Sequence, residues 1–207
     1  MTLLTVLLSL RSNQLKALVK LMAFQGVLVS SVPLFLETEH GISFDIFMFF
    51  LLLVLVKGIF IPGLLYKAVK QFTVHREIIP IIGYHASIFL GLIIIVSSVY
   101  IANQLQLPMQ AEHKLAMITA ISTMGAGFLL MKARRMAITQ IIGYLMMENG
   151  IYLIGTALAK RVHTQYVVEF AVLLDLLVAI LVMGIVLTNI NETFDDISTG
   201  QLGQLKD

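Results

Sequence analysis

The chain has 207 residues, of which 58% are hydrophobic and 13% charged, with a mean hydropathy of +0.94; a soluble domain carries about 25% charged residues. Its apolar runs of 17 to 25 residues exclude a β-barrel built from short alternating strands, so helices must satisfy the backbone in lipid. The net charge of +2 comes from basic residues beside apolar runs, which gives nucleic acid little to bind, and the lack of cysteine excludes disulfides, thiolate-bound zinc and cysteine-ligated iron–sulfur clusters in this chain.

Thr2 to Leu10 predicts a short first helix of about 14 Å against a hydrocarbon core of about 30 Å, so it must be thinned over, packed on a neighbour or abbreviated. No basic residue precedes it and Arg11-Ser12-Asn13 follows it, so it does not read as a secretory signal. The second helix is expected over Asn13 to Leu36, with Lys16 and Lys20 at its basic end. The third covers Ile46 to Tyr66 and carries Lys57 and Pro62; the proline removes a backbone hydrogen bond and predicts a kink. Helices are then expected over Ile78 to Ala102, Leu115 to Met131, Met136 to Ala159 and Tyr166 to Ile190. The link Lys132 to Arg135 is so short that the helices it joins must be antiparallel neighbours.

The expected fold is an all-α, polytopic membrane protein of about seven transmembrane helices. Residues 1–110 hold the first four, 111–190 a compact three-helix unit, and 191–207 a tail. Arg11, Lys16, Lys20, Lys67, Lys70, Arg76, Lys132, Arg134, Arg135 and Lys206 fall on one side, against Lys114, Lys160 and Arg161 on the other. By the positive-inside rule the former side, and the C-terminus, are cytoplasmic.

The run Met136 to Ala159 contains one charge, Glu148, almost at its midpoint. An acidic side chain at the bilayer centre costs roughly 2.5–3.5 kcal/mol on insertion scales, so it is usually paired, protonated or on an ion path. Lys57, Glu169 and Asp175 also lie within spans, and Lys57 is too deep to snorkel easily. Glu169 and Asp175 point about 120° apart on one helix, so they cannot both face one partner. Lys57 is either a path residue or a static counter-ion to Asp175 or Glu148.

Around Glu148, residues Gln140, Tyr144 and Tyr152 recur at i−8, i−4 and i+4, and Asn149 lies beside it. This stripe reads either as interhelical glue, contributing about 0.6 kcal/mol per polar side chain, or as the lining of an ion path; the cost of a midplane carboxylate favours the path. His85 could extend a polar path or be a satisfied interhelical histidine. Gly125-Ala126-Gly127 reads as a close-packing patch, and the scattered histidines give no metal-ligand spacing.

The segments IIGYLMMENGIYLIG (Ile141 to Gly155), VVEFAVLLDLLVAILVMGIV (Val167 to Val186), LVKGIFIP (Leu55 to Pro62) and the tail TFDDISTGQLGQLK together resemble the E component of hydrogenase-4-type membrane hydrogenases, of the complex I-related formate hydrogenlyase group. The last three helices are also similar to the K subunit of complex I and the small subunit of Mrp-type antiporters. With Gly143 and Asn149 placed on that subunit's G-x-E-x-M-x-N pattern, its glutamate falls on Leu145, one helical turn from Glu148. The resemblance implies a multi-pass subunit of the inner (plasma) membrane, with Glu148, Asp175, Glu169 and Lys57 on a proton or sodium path. It implies antiporter-like and membrane-anchor partners, and hydrogenase-like and iron–sulfur subunits holding nickel–iron and iron–sulfur centres. This chain would carry no cofactor of its own. An Mrp-like antiporter without redox chemistry and a purely structural anchor are the competing expectations.

Overall fold

The structure, a computed structural model, describes residues 1–36, 44–71, 81–105 and 111–158, and beyond them 173–175, 177–180, 182 and 184. The protein is an all-α polytopic membrane protein. Its elements are α1 (Thr2–Arg11), α2 (Leu15–Leu36), α3 (Phe44–Val54), a π-helical turn (Leu55–Phe60), α4 (Ile61–Gln71), α5 (Tyr84–Gln104), α6 (Ala111–Ala133) and α7 (Ala137–Leu158). The described residues between 173 and 184 are helical as well. Among the described residues, five helices are long and apolar enough to cross a bilayer; α3, the π turn and α4 run on as one of them, over Phe50–Lys70.

Two local features depart from the sequence expectation. Pro62 lies two residues past the end of a π-helical turn, in which the N–H of Ile61 reaches back five residues to the carbonyl of Val56. The turn absorbs one extra residue in the helical register just ahead of the proline. Helix α5 starts at Tyr84 and not at Ile78. Ile81 and Ile82 instead donate their N–H groups to the carbonyl of Ala133, at 2.8 and 3.4 Å. The expected helix over Tyr166 to Ile190 is described only at the positions given above, and Glu169 and the tail lie outside the described residues.

The short α1 does not stand alone. Val6 and Leu10 are buried with α2, α4 and α7 residues in the main core, and Gly91 of α5 lets Leu10 approach so closely that a Cβ there would sit 2.5 Å from Leu10 Cδ1. Arg134, counted above as a loop charge, is instead fully buried. Its guanidinium donates to the carbonyls of Leu10 (2.8 Å), Ile82 (2.9 Å) and Ala133 (3.4 Å), and stacks 4.7 Å from the Tyr84 ring centroid. Burial draws the group below the usual arginine range and Tyr84 opposes this, yet an arginine keeps its charge.

Arg134 therefore ties the end of α1 and the approach to α5 onto the α6–α7 link. A link of three residues, Arg134 to Met136, leaves no slack, which is why a nominal loop residue ends up inside. Leu10 lies in the last turn of α1, where carbonyls lack an intrahelical donor. Ala133 also accepts from Ile81, so Leu10 loses most on removal. Arg134→Met should cost about 1–3 kcal/mol, the penalty for a buried acceptor left unmade. The check is detergent-driven unfolding followed by loss of helical circular dichroism.

Among the described elements, α6 and α7 make the closest backbone approach. Gly127 and Gly143 face each other, and a Cβ built on either would come within 2.9 Å of backbone atoms of the other helix. Gly150 repeats the contact one heptad on, where a Cβ would meet Met124 N at 2.6 Å and Ala120 O at 2.8 Å. Gly125, on another face of α6, receives Ile94 of α5. The patch expected at Gly125-Ala126-Gly127 thus packs two neighbours at once.

Candidate functional site

Helix α7 is mostly apolar, so the two strongly polar residues at its middle, Glu148 and Asn149, are held wherever its packing puts them. Glu148 lies about 15 Å from either end of the Ala137–Leu158 span. Both residues are 1% exposed, and so are Lys57 and Asp175. Lys57 sits in the π-helical turn. It points between the two carboxylates, with Nζ 2.5 Å from Glu148 Oε1, 3.1 Å from Asp175 Oδ1 and 3.2 Å from Asn149 Oδ1.

An ammonium has three protons to donate, and all three have acceptors here. The carboxylates are less complete: among the described residues Glu148 Oε2, Asp175 Oδ2 and Asn149 Nδ2 have no partner. In ordinary ionisation the cluster holds two negative charges and one positive. A net negative charge buried this deep is expensive, so the cluster has a strong tendency to take up one proton or one cation. With the ammonium bonded to both carboxylates, it can strengthen its contact to either as the other is neutralised.

The approach of the helices depends on two glycines. A Cβ at Gly26 of α2 would sit 3.0 Å from Lys57 Cβ and 3.1 Å from its carbonyl oxygen; one at Gly58 would sit 2.8 Å from Val27 Cγ2. Helix α2 therefore lies directly against the backbone of the π turn and helps to hold Lys57 toward α7.

Of the nine residues expected at a site, Lys57, Glu148, Asn149 and Asp175 come together. Tyr144 is half-buried and within electrostatic range of Lys57, Glu148 and Asp175. Tyr152 is buried one turn beyond Glu148, with Val29, Leu53, Ala120 and Leu153. Gln140 leaves the group: it is exposed, and its amide donates to Arg134 O at 3.5 Å. At 100° per residue, Tyr144 and Tyr152 lie about 40° either side of Glu148, whereas Gln140 has drifted about 80° away. His85 is exposed in the first turn of α5 and takes no part in the cluster. Leu145, which the resemblance places on the glutamate position of the K subunit, is buried in the main apolar core.

Sequence reasoning passed over Gln25, a fully buried residue of α2 whose amide nitrogen and oxygen both lack partners among the described residues. The available signal was its isolation: a glutamine midway along an apolar span, next to a glycine.

The chain is 26% identical over 196 residues to an uncharacterized protein of Mycobacterium tuberculosis, a match covering 94% of this chain and 88% of that one. Over 117 residues it is 29% identical to hydrogenase-4 component E of Escherichia coli K12, and to the component E of Shigella flexneri to the same degree. No protein-family profile and no solved structure matches the chain. The similarity to component E takes in 56% of this chain and 53% of the relative, so this chain is distantly similar to a hydrogenase-4 membrane subunit along about half the length of each.

Proposed function

We propose that this chain is a non-catalytic membrane subunit of a complex I-related, hydrogenase-4-like assembly of the inner membrane, and that Lys57, Glu148 and Asp175 carry a proton or sodium ion through it. The observation that supports this most is the placement of one ammonium between two buried carboxylates, which among the described residues leaves a net negative charge and one unpartnered oxygen on each carboxylate. A static ion pair needs one carboxylate; the second gives the centre a state to change. Glu169 is the candidate entry group from the side opposite the basic loops. Electrons would pass through nickel–iron and iron–sulfur centres in partner subunits, since this chain has no cysteine to hold a cluster. Antiporter-like and anchor subunits would continue the path within the bilayer.

Two measurements test this. Isolation of the chain from membranes in mild detergent should bring antiporter-like subunits and cluster proteins, with bound iron and nickel. Antiporter-like subunits without metal would move the assignment to a cation/proton antiporter. Glu148→Gln should then abolish ion movement while the complex still assembles, because the amide oxygen introduced by that substitution can still accept from Lys57 and the Lys57–Asp175 pair is neutral. Ion movement at the wild-type rate in that variant would reduce the cluster to a structural tie.

A further inference from the structure

Gln25 is buried to 0% exposure, with neither amide atom hydrogen-bonded to any described residue. A buried amide without partners is costly, so a native one requires a ligand. Met22 and Val29, which share its face of α2, are both buried in cores to which α7 contributes. The adjoining Gly26 meets Lys57 itself: a Cβ there would sit 3.0 Å from Lys57 Cβ. Gln25 therefore lies at the level of the buried centre, on the helix that abuts it.

Five unpartnered polar atoms share this level: both amide atoms of Gln25, Asn149 Nδ2, Glu148 Oε2 and Asp175 Oδ2. We propose that Gln25 is a further positioning residue of the centre, and that its amide holds a water molecule against the free carboxylate oxygens of Glu148 and Asp175. With the Lys57 ammonium in contact with both carboxylates, a neutral water adds no charge to the resting centre, and it can both donate to the carboxylates and accept from the amide. The inference takes its purpose from the ion-handling reading above, while its geometry stands apart from it.

The test is infrared difference spectroscopy of the full chain in lipid nanodiscs, alternating ordinary and heavy-oxygen water. The wild type should show a buried-water O–H band that shifts in Glu148→Gln and is lost in Gln25→Met, which is close in shape but lacks the amide. Absence of the band from the wild type, or its survival unchanged in Gln25→Met, overturns the proposal. Thermal unfolding gives an independent sign. An orphaned amide would make Gln25→Met more stable than the wild type, which also overturns the proposal, whereas loss of a held water lowers the midpoint. If Gln25→Met does not fold, Gln25→Asn withdraws the amide by one methylene and should shift the band; an unmoved band there overturns it. Ion movement that survives Glu148→Gln would sink the proposed function and leave this result standing, because the band is read without ion flux.

Discussion

Lys57→Met is expected to destabilise the chain by about 3–5 kcal/mol, the usual cost of removing one partner from a buried ion pair. The lysine satisfies Glu148, Asp175 and Asn149 at once, so its loss leaves two carboxylates about 1% exposed with no counter-charge. The sign is decided by charge counting: the cluster moves from −1 to −2 in Lys57→Met but from −1 to 0 in Glu148→Gln. The two single variants should therefore separate in unfolding experiments, with Glu148→Gln within about 1 kcal/mol of the wild type, the net worth of a typical hydrogen bond. Adding Glu148→Gln and Asp175→Asn to Lys57→Met should recover most of the lost stability, since the apolar chain then faces two neutral amides. A Lys57→Met variant as stable as the wild type would mean that the ammonium and carboxylates do not meet.

This asymmetry bears on function. A cluster that only held helices together would be at its most stable when neutral, and evolution of a static tie has no use for a second carboxylate. Here Asp175 provides one, at 3.1 Å from the same nitrogen. The stability of Glu148→Gln and its ion movement are thus independent measurements: the first reports on packing, the second on whether the excess charge has work to do.

Much of this centre was legible in the sequence, for a simple reason. A charge within twenty apolar residues is so costly that Lys57, Glu148 and Asp175 mark themselves, and three such residues of mixed sign invite pairing. Their convergence was not legible, because it depends on the register of three different helices, one of which gains a residue in a π turn. Periodicity predicted a continuous stripe down to Gln140, but the drift of a 3.6-residue repeat turns that position outward. Gln25 and Arg134 were obscured by their context. One is uncharged in an apolar span, and the other is one of several basic residues in a link where arginines ordinarily meet headgroups. The start of α5 depended on Ile81 and Ile82 finding a carbonyl on α6, a long-range contact that no local pattern announces.

Gly127→Val should separate α6 from α7 and cost about 3 kcal/mol or more, the upper end for overpacking a rigid contact. A Cβ at Gly127 would lie 2.5 Å from Met147 N and 2.6 Å from Gly143 O, both main-chain atoms of a helix that cannot yield locally. Even Gly127→Ala should be a net loss. Alanine gains about 1 kcal/mol of helix propensity over glycine, but that gain is smaller than the clash with two backbone atoms. Gly63 is the control. A Cβ at Gly63 of α4 meets nothing within 4 Å, so Gly63→Ala should show the propensity gain alone and raise stability. The same chemical change thus has opposite expected signs at two glycines, and detergent-driven unfolding of the pair reads the contact directly. The effect also reaches the buried centre, because Glu148 lies on α7 between Gly143 and Gly150, the two points at which α6 fixes its height. If Gly127→Ala moves α7, Lys57 and Glu148 should lose contact before the fold is lost, and ion movement should fail at a lower denaturant concentration than helix content.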